Sequence, residues 1–352
     1  MADRPLTPGT AGRGGLYRVG FLLVPGYSHL AFAAALEPLR MANQLADTKL
    51  YEWTVITRTG EPVAGSDGLK VAPDTGIANA PPVNLLMVCG GVDIQDHCER
   101  EVLSWLRRLA RSGADLGAVC TGAYLLAQAG VLDGYRCTLH WENISSIYES
   151  LLFPSTVFTS ELFVIDRDRY TCSGGVAPLD MMLNIIARQQ GIDLAESIAE
   201  EFLHERIRDF SERQRMPLRV RLGTSQPKLV EVVTLMEANL HEPLTLDELA
   251  QHANVSRRQL ERLFRRYLGC TPTRYYLDLR LSRARQLLLQ TDMPITDVAI
   301  ACGFVSPPHF TKCYHDRYGR SPRDERRFRR NRLTEAAEPP SPATGPEPAP
   351  GP

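Results

Sequence analysis

The 352-residue sequence lacks the features that would place it in a membrane or outside the cell. No run of about 18 uncharged apolar residues occurs, which excludes a transmembrane helix and a membrane partner. No apolar core of a secretory signal follows the first basic residues. The eight cysteines include no CxxC pair, which argues against a zinc ribbon and a disulfide-stabilised scaffold. We therefore expect a cytoplasmic protein without a metal site or cofactor.

The sequence also lacks overall charge, since its net charge is −1. This balance hides an asymmetry, because residues 1–225 carry −5, residues 226–332 carry +7 and residues 333–352 carry −3. A basic segment joined to an acidic one is typical of a module that binds a polyanion. The alternative is that the arginine-rich helices of this segment are merely solvated.

The first half of the chain alternates between strand and helix patterns. Short β-branched apolar runs predict buried strands, and the segments with helical periodicity between them predict helices. The strands are expected at 17–24, 53–57, 84–91 and 116–120, and the helices at 31–45 and 99–113. Strands that alternate with helices form a parallel sheet covered on both faces. The first half is therefore predicted to be an α/β domain.

The second half has no strand pattern and is predicted to be all-α. Within it, residues 244–272 and 293–322 are similar, each with an acidic helix start, a turn, a serine and a second helix. Ser256 and Ser306 are placed to cap these second helices, and Gly303 gives one turn the backbone freedom it requires. Two such helix-turn-helix units on a shared helix can reach successive faces of the DNA major groove.

This duplicated segment resembles the AraC/XylS-type DNA-binding domain over residues 226–327, with the stretch ARQLLLQTDMPITDVAIACGF among the residues that carry the resemblance. The resemblance implies double-stranded DNA as a partner. Arg258, Glu261 and Arg262 then share one face of the first recognition helix, where arginine can pair with guanine and glutamate with cytosine. For any single arginine, the alternative is a phosphate contact. The predicted DNA-binding residues are Ser256, Arg257, Arg258, Glu261, Arg262, Arg265, Ser306, His309, Thr311 and Lys312.

The second recognition helix departs from the common pattern of that family. Pro307 and Pro308 stand where many members have polar residues. Proline is compatible with the first helical position, but two prolines remove two donors. His309, Thr311 and Lys312 remain to reach the groove, so we expect weaker readout by this helix.

Cys120 lies between a buried strand and an apolar helix, and it is followed by the small residues Thr121, Gly122 and Ala123. This pattern is typical of a strand–nucleophile–helix elbow. The positive end of the helix dipole is expected to favour the thiolate. A buried structural cysteine is the alternative interpretation.

Residues 17–190 resemble the PfpI/ThiJ branch of the class I glutamine-amidotransferase-like superfamily, in the form fused to an AraC domain in GlxA-type regulators. The stretches CGG (89–91), AVCTGA (118–123), TLHWE (138–142) and CSGGVAPLD (172–180) carry this resemblance. It implies a flavodoxin-like parallel sheet. A closer likeness to regulators of arginine, carnitine and glycine-betaine breakdown is carried by YSHLAFAAALEPLRMANQL, among other stretches.

Two departures from that superfamily argue against catalysis. Thr121 follows the cysteine where protease-like members have histidine, and Ala31 stands where other active members have a carboxylate. Because no base or acid is in place to activate the thiol, no catalytic residue is assigned. The elbow is expected to bind a small effector instead, with backbone amides for a carboxylate and aromatic or acidic groups for a cationic end. For each aromatic residue, core packing is the alternative. The predicted ligand-binding residues are Cys120, Thr121, Gly122, His140, Trp141, Glu37 and Phe32.

The sequence supports two functions of different classes. The favoured one is a ligand-responsive transcriptional regulator, and the resemblance implies an activator of a catabolic operon that works with RNA polymerase as a homodimer. The alternative is a thiol-dependent amidase or hydratase that uses Cys120. The expected organisation is a disordered 1–15, a ligand-sensing domain at 16–220, a linker at 221–228, a DNA-binding domain at 229–330 and a disordered tail at 331–352.

Overall fold

The computed structural model describes residues 15–150, 152–209, 212–214, 218–222, 224 and 226–327. The chain divides into two compact units, Met1–Pro217 and Leu218–Pro352. The two segments expected to be disordered, 1–15 and 331–352, lie outside the described residues except for residue 15.

A seven-stranded sheet forms the centre of the first unit. The strands of this unit are β1 (Tyr17–Leu23), β2 (Tyr51–Thr57), β3 (Val63–Ala64), β4 (Lys70–Val71), β5 (Thr75–Gly76), β6 (Leu85–Cys89), β7 (Asp115–Val119), β8 (Arg136–Thr138), β9 (Val157–Thr159), β10 (Phe163–Asp166) and β11 (Arg169–Cys172). The order in the sheet is β10-β11-β7-β6-β1-β2-β5, and only β10 runs antiparallel to its neighbour. The order β2-β1-β6-β7-β11 is that of a flavodoxin-like sheet, which confirms the predicted fold class.

Helices cover both faces of this sheet. They are α1 (His29–Leu45), α2 (Arg100–Arg111), α3 (Ala123–Gln128), α4 (Trp141–Ser150), α5 (Ala177–Gln190) and α6 (Ile192–Glu201), with a short 3-10 helix at Ile94–His97. Successive strand residues face opposite sides, so Phe21 packs with residues of α1, α5 and α6, whereas Leu22 packs with residues of α2 and α3. The strands are buried on both faces, which is why they appear in the sequence as unbroken apolar runs.

Asp115 begins β7 with a buried carboxyl group that accepts a hydrogen bond from Tyr170 Oη (3.3 Å). Burial, with a smaller contribution from the charge of Asp168, raises the pKa of this carboxyl to about 6. The unfolded chain therefore ionises at lower pH than the folded one. The free energy of unfolding falls as the pH rises from about 4 to about 6, and above that the penalty for the buried charge stays constant.

Asp115→Asn removes this ionisation and keeps an acceptor for Tyr170. We expect the variant to gain about 1–2 kcal/mol at pH 8, allowing for partial solvent access, and to gain nothing at pH 4. Thermal unfolding at both pH values measures the difference. Asp47→Asn, which alters an exposed aspartate, serves as the control. Equal effects of Asp115→Asn at the two pH values would contradict the assigned titration.

The second unit is all-α in its described part. Its helices are α7 (Leu218–Arg221), α8 (Pro227–Ala238), α9 (Leu246–His252), α10 (Arg257–Leu268), α11 (Pro272–Gln290), α12 (Ile295–Ala301) and α13 (Pro307–Tyr318). Helix α7 ends at Arg221 and α8 begins at Pro227, and both of these positions lie inside the range 221–228 that was expected as a linker. The predicted duplication is confirmed, with α9–α10 and α12–α13 as its two copies.

The long helix α11 joins two small hydrophobic cores. Tyr276, in its first half, packs with Leu260 and Phe264 of α10, whereas Leu281 and the residues after it pack with Phe310 of α13. Because one continuous helix belongs to both cores, it fixes how the two helix-turn-helix units are presented.

Candidate functional site

The first recognition helix, α10, begins with a capping box. Ser256 Oγ accepts a hydrogen bond from Gln259 N (3.3 Å), and Gln259 Oε1 accepts one from Ser256 N (2.8 Å). Leu260 and Phe264 are fully buried and turn one side of the helix towards the core. The helix ends at Gly269, which adopts a left-handed conformation. The predicted cap at Ser256 is confirmed.

The opposite side of α10 presents three arginines. Arg258, Arg262 and Arg265 are exposed, and none of them forms a hydrogen bond or ion pair within the described part of the chain. Their i, i+4, i+7 spacing places them along one face. Guanidinium groups without protein partners are free to pair with phosphates or with guanine edges.

Arg257 and Glu261 are engaged with each other on a neighbouring part of the surface. Arg257 Nε lies 3.6 Å from Glu261 Oε1, and Arg257 Nη1 lies 3.8 Å from Asp247 Oδ2. The carboxylate of Glu261 is thus partly neutralised before any base approaches. Glu261 still lies beside the arginine stripe, three residues after Arg258, and its contact with a base stays a prediction.

The predicted cap at Ser306 is wrong. This serine precedes α13, but its side chain accepts no hydrogen bond from the first turn. Pro308 occupies the second helical position and has no N–H to donate, which removes one of the two amides that a cap can use.

The remaining predicted residues of α13 differ in availability. His309 Nε2 lies 3.3 Å from Cys313 Sγ, so one ring nitrogen is already engaged. Thr311 and Lys312 are exposed and border a shallow depression beside Pro307 and Pro308. Among the predicted DNA-binding residues without an ion pair in the described part of the chain, α13 therefore offers one cation, Lys312, and α10 offers three.

The turns inside the two helix-turn-helix units have matching geometry. Asn254 and Gly303 both have positive φ, 52° and 71°. Arg280 of α11 holds the second turn, since its Nε donates to Cys302 O (2.7 Å) and its Nη2 to Gly303 O (2.6 Å). Its guanidinium also stacks 4.1 Å from the ring centre of Phe304. Sequence analysis missed Arg280, because no local pattern links it to carbonyls 22 and 23 residues away.

In the first unit, Cys120 follows β7 at the carboxyl edge of the sheet. Its φ is 58°, a strained value for a residue other than glycine and typical of an elbow. Gly174 makes room for it, since a Cβ on Gly174 would lie 2.9 Å from Cys120 Cα. A Cβ on Gly90 would lie 2.3 Å from Gly122 N. The elbow is therefore a tightly packed turn that depends on glycine.

The thiol of Cys120 is protonated at neutral pH. Burial raises its pKa to about 11, and the charge of Glu142 adds to this, while the Thr121 N–H acts in the opposite direction. The expectation of a thiolate is wrong because α3 has only six residues and its dipole does not offset desolvation.

The two elbow amides are not equally available. Gly122 N already donates to Val119 O (3.1 Å), and the Thr121 hydroxyl donates to Gly91 O (2.6 Å). Only the Thr121 N–H points towards the thiol. The expected pair of anion-binding amides is thereby reduced to one.

His140, Trp141 and Glu142 lie beside the Cys120 elbow, where α4 begins. His140 N donates to Cys120 O (3.3 Å), which ties this loop to the elbow. Burial lowers the pKa of His140, and its Nδ1 lies 3.7 Å from Glu142 Oε2. The rings of His140 and Trp141 lie 5.7 Å apart. Glu142 was missed as a pocket residue, although it stands within the TLHWE motif.

The other two predicted pocket residues have different roles. Phe32 is buried in the core and packs edge-on against Phe21 and Tyr27, so its ring is not an accessible aromatic wall. Glu37 Oε2 accepts from Arg40 Nε (2.7 Å), and its charge is compensated on α1. Phe32 thus matches the core-packing alternative, whereas ligand binding by Glu37 stays a prediction.

The described residues contain no group of three or more potential metal ligands. No described helix is long and apolar enough to cross a membrane.

Two families match this chain. The DJ-1/PfpI family covers residues 18–188, and a helix-turn-helix domain covers residues 249–328. The HTH-type transcriptional regulator GbdR of Pseudomonas aeruginosa is 55% identical over 308 residues, which are 88% of this chain and 83% of GbdR. The HTH-type transcriptional regulator GlxA of Rhizobium meliloti is 37% identical over 88% of this chain and 95% of its own. An isonitrile hydratase of Pseudomonas putida is 27% identical over 51% of this chain and 75% of its own.

A duplicated helix-turn-helix with an arginine stripe, attached to an elbow-bearing flavodoxin-like domain, defines a DNA-binding transcriptional regulator. The chain belongs to the AraC-family regulators that carry an N-terminal DJ-1/PfpI domain, the group that includes GbdR and GlxA.

Proposed function

We propose that this regulator activates a catabolic operon in response to a small molecule bound at the Cys120 elbow. The observation that carries the proposal is the placement of His140, Trp141 and Glu142 beside the elbow, with His140 N bonded to Cys120 O (3.3 Å). The Thr121 N–H suits a carboxylate. The Trp141 ring and the Glu142 carboxylate suit a guanidinium or quaternary ammonium group. Arginine, carnitine and glycine betaine combine these two ends.

Thermal unfolding of the full-length protein with arginine, carnitine, choline or glycine betaine tests the ligand class. A compound present at a hundredfold excess over its Kd stabilises the folded state by about 2.7 kcal/mol. We expect at least one compound to raise Tm in the wild type and to raise it less in Trp141→Ala. Leu45→Ala, which alters an exposed side chain at the end of α1 in the same unit, is the control. If none of the four shifts Tm, the proposed ligand class is wrong.

A thiol-dependent hydratase remains the second candidate, favoured by the likeness to an isonitrile hydratase and by the strained φ of Cys120. The raised pKa of the thiol argues against it, because the nucleophile would be almost entirely protonated. The variant Cys120→Ala distinguishes the regulator from the hydratase. A regulator keeps promoter activation and its ligand response in this variant, whereas loss of both in a folded protein would favour the enzyme.

DNA binding is expected to depend steeply on salt. Arg258, Arg262, Arg265 and Lys312 are exposed cations on the two recognition helices, and three to five phosphate contacts would lower the affinity for random duplex DNA about 40- to 500-fold between 50 and 200 mM salt. Fluorescence anisotropy across this range measures the slope. An affinity that does not change with salt would exclude the arginine stripe from the DNA interface.

The proposal includes a homodimer that contacts RNA polymerase, as expected for an AraC-type activator. Sedimentation of the full-length protein and transcription from its promoter in vitro with purified polymerase test these two partners. A monomer at micromolar concentration that still activates transcription would remove the dimer from the proposal.

A further inference from the structure

The chain after α6 is fastened to the α/β domain by Asp180 of α5. This segment, residues 203–209 and 212–214, is called the strap. The fully buried Asp180 uses both carboxylate oxygens: Oδ1 accepts from Arg208 N (2.7 Å) and lies 2.8 Å from His204 Nε2. Its Oδ2 accepts from Arg208 Nε (2.9 Å) and Nη2 (2.7 Å). A buried charge matched in this way is a strong anchor.

Gln214, eleven residues after Leu203, joins the strap to the α/β domain with a second set of hydrogen bonds. Its Nε2 donates to Thr138 Oγ1 (2.7 Å), Leu139 O (2.9 Å) and Glu161 O (3.0 Å). Gln214 Oε1, by contrast, is buried and has no hydrogen-bond partner in the described part of the chain. An unpaired buried acceptor opposes this fastening. Backbone bonds also hold this end of the strap, since Gln214 N donates to Ser160 O (3.2 Å) and Leu162 N to Glu212 O (2.7 Å).

The hydrogen bonds of Asp180 and those of Gln214 both join the strap to segments next to Cys120. Thr138 and Leu139 directly precede His140, whose N–H bonds to Cys120 O (3.3 Å). Asp180 lies in the first turn of α5, and that helix follows Gly174, which packs against the Cα of Cys120. Leu139 is thus one residue from His140, and Asp180 is six residues from Gly174.

We propose that Gln214 and Asp180 are positioning residues that couple occupancy of the Cys120 pocket to the strap, which leads along the chain to the DNA-binding unit. This inference rests on the proposed ligand-sensing function. The three Gln214 bonds are 2.7–3.0 Å long, so a ligand that displaces residues 138–141 lengthens them. Occupancy therefore loosens the strap. By linkage, a loosened strap must in turn favour occupancy.

Gln214→Glu is the sharpest variant, because it keeps the shape of the side chain and turns a carboxylate towards three acceptors. In the full-length protein, we expect amide hydrogen exchange of the strap to accelerate about tenfold. Gln190→Glu, the same change at an exposed position of this unit, should leave the strap unchanged. Asp180→Asn should loosen residues 203–209, and Gln214→Glu remains informative if Asp180→Asn does not fold. Strap exchange at the wild-type rate in Gln214→Glu would overturn the proposal.

The coupling itself is tested with glycine betaine, carnitine, arginine and choline. A compound that raises Tm should accelerate strap exchange in the wild type and bind several-fold more tightly to Gln214→Glu, an outcome that a merely structural role of Gln214 does not produce. Unchanged exchange or equal affinity would overturn the coupling while leaving ligand sensing intact. If none of the four compounds binds, the ligand class fails, and Trp141→Ala decides the coupling: strap exchange must change in this variant, and an unchanged rate overturns it.

Discussion

Replacing Arg262 by alanine is expected to weaken binding to the operator by about 1–3 kcal/mol, roughly 5- to 150-fold, and to affect random DNA much less. Arg262 is the middle member of the stripe on α10, exposed and without a partner among the described residues. Ser256 caps this helix and Phe264 anchors it in the core, so the arginine is presented from a rigid element. A bidentate contact with guanine would be lost without rearrangement of the helix.

Lys312→Ala is the matched comparison on α13. Pro307 and Pro308 remove two donors at the start of that helix, and Lys312 is its exposed cation among the predicted readers. We expect a smaller loss that is equal on operator and random DNA, as for a phosphate contact. The full-length protein is titrated at one fixed salt concentration against a duplex selected from a random pool and against an unselected one. Equal losses for Arg262→Ala on both duplexes would assign Arg262 to the phosphate backbone.

The fold was predictable where one local pattern decides it. Leu85–Cys89 is buried on both faces and reads as an unbroken apolar run, so a parallel sheet followed from sequence. Ser256 was predicted to cap α10, and the structure adds Gln259, three residues further on, as the partner that completes the capping box. The short strands β8, β9 and β10 were not predicted. They have three or four residues each, which is too few for the two-residue alternation of a strand to be recognised in the sequence.

The pocket was only partly predictable, because its properties depend on tertiary packing. A dipole at the start of α3 suggested a thiolate at Cys120, but burial, which no local pattern reports, dominates its pKa. Phe32 was assigned to the pocket from its residue type, while its contact with Phe21 depends on how α1 lies on the sheet. Gln214 gave no signal at all, since it bonds to residues 53 to 76 positions away.

Gly303→Ala is expected to destabilise the second helix-turn-helix unit by about 2–4 kcal/mol. The φ of Gly303 is 71°, where a side chain costs about 1–2 kcal/mol. A Cβ there would also lie 2.6 Å from Pro243 Cδ and 2.7 Å from Leu240 O, atoms of the loop before α9. Because Arg280 binds the carbonyl of Gly303, the turn cannot move away without losing that hydrogen bond (2.6 Å).

Gly319→Ala separates the backbone strain of a positive φ from the steric clash of the added Cβ. Gly319 ends α13 with the same φ of 71°, but nothing lies within 4 Å of a Cβ built on it. In this control, the free energy of unfolding should therefore fall only by the cost of the backbone strain, about 1–2 kcal/mol. Urea unfolding of the full-length protein, followed by hydrogen exchange in α12 and α13, measures both variants. The excess loss in Gly303→Ala should be accompanied by weaker operator binding, since the turn that places α13 also packs against the loop before α9. Equal losses in the two variants would mean that the loop at 240–243 yields, and that the two recognition helices are not held in fixed register through this contact.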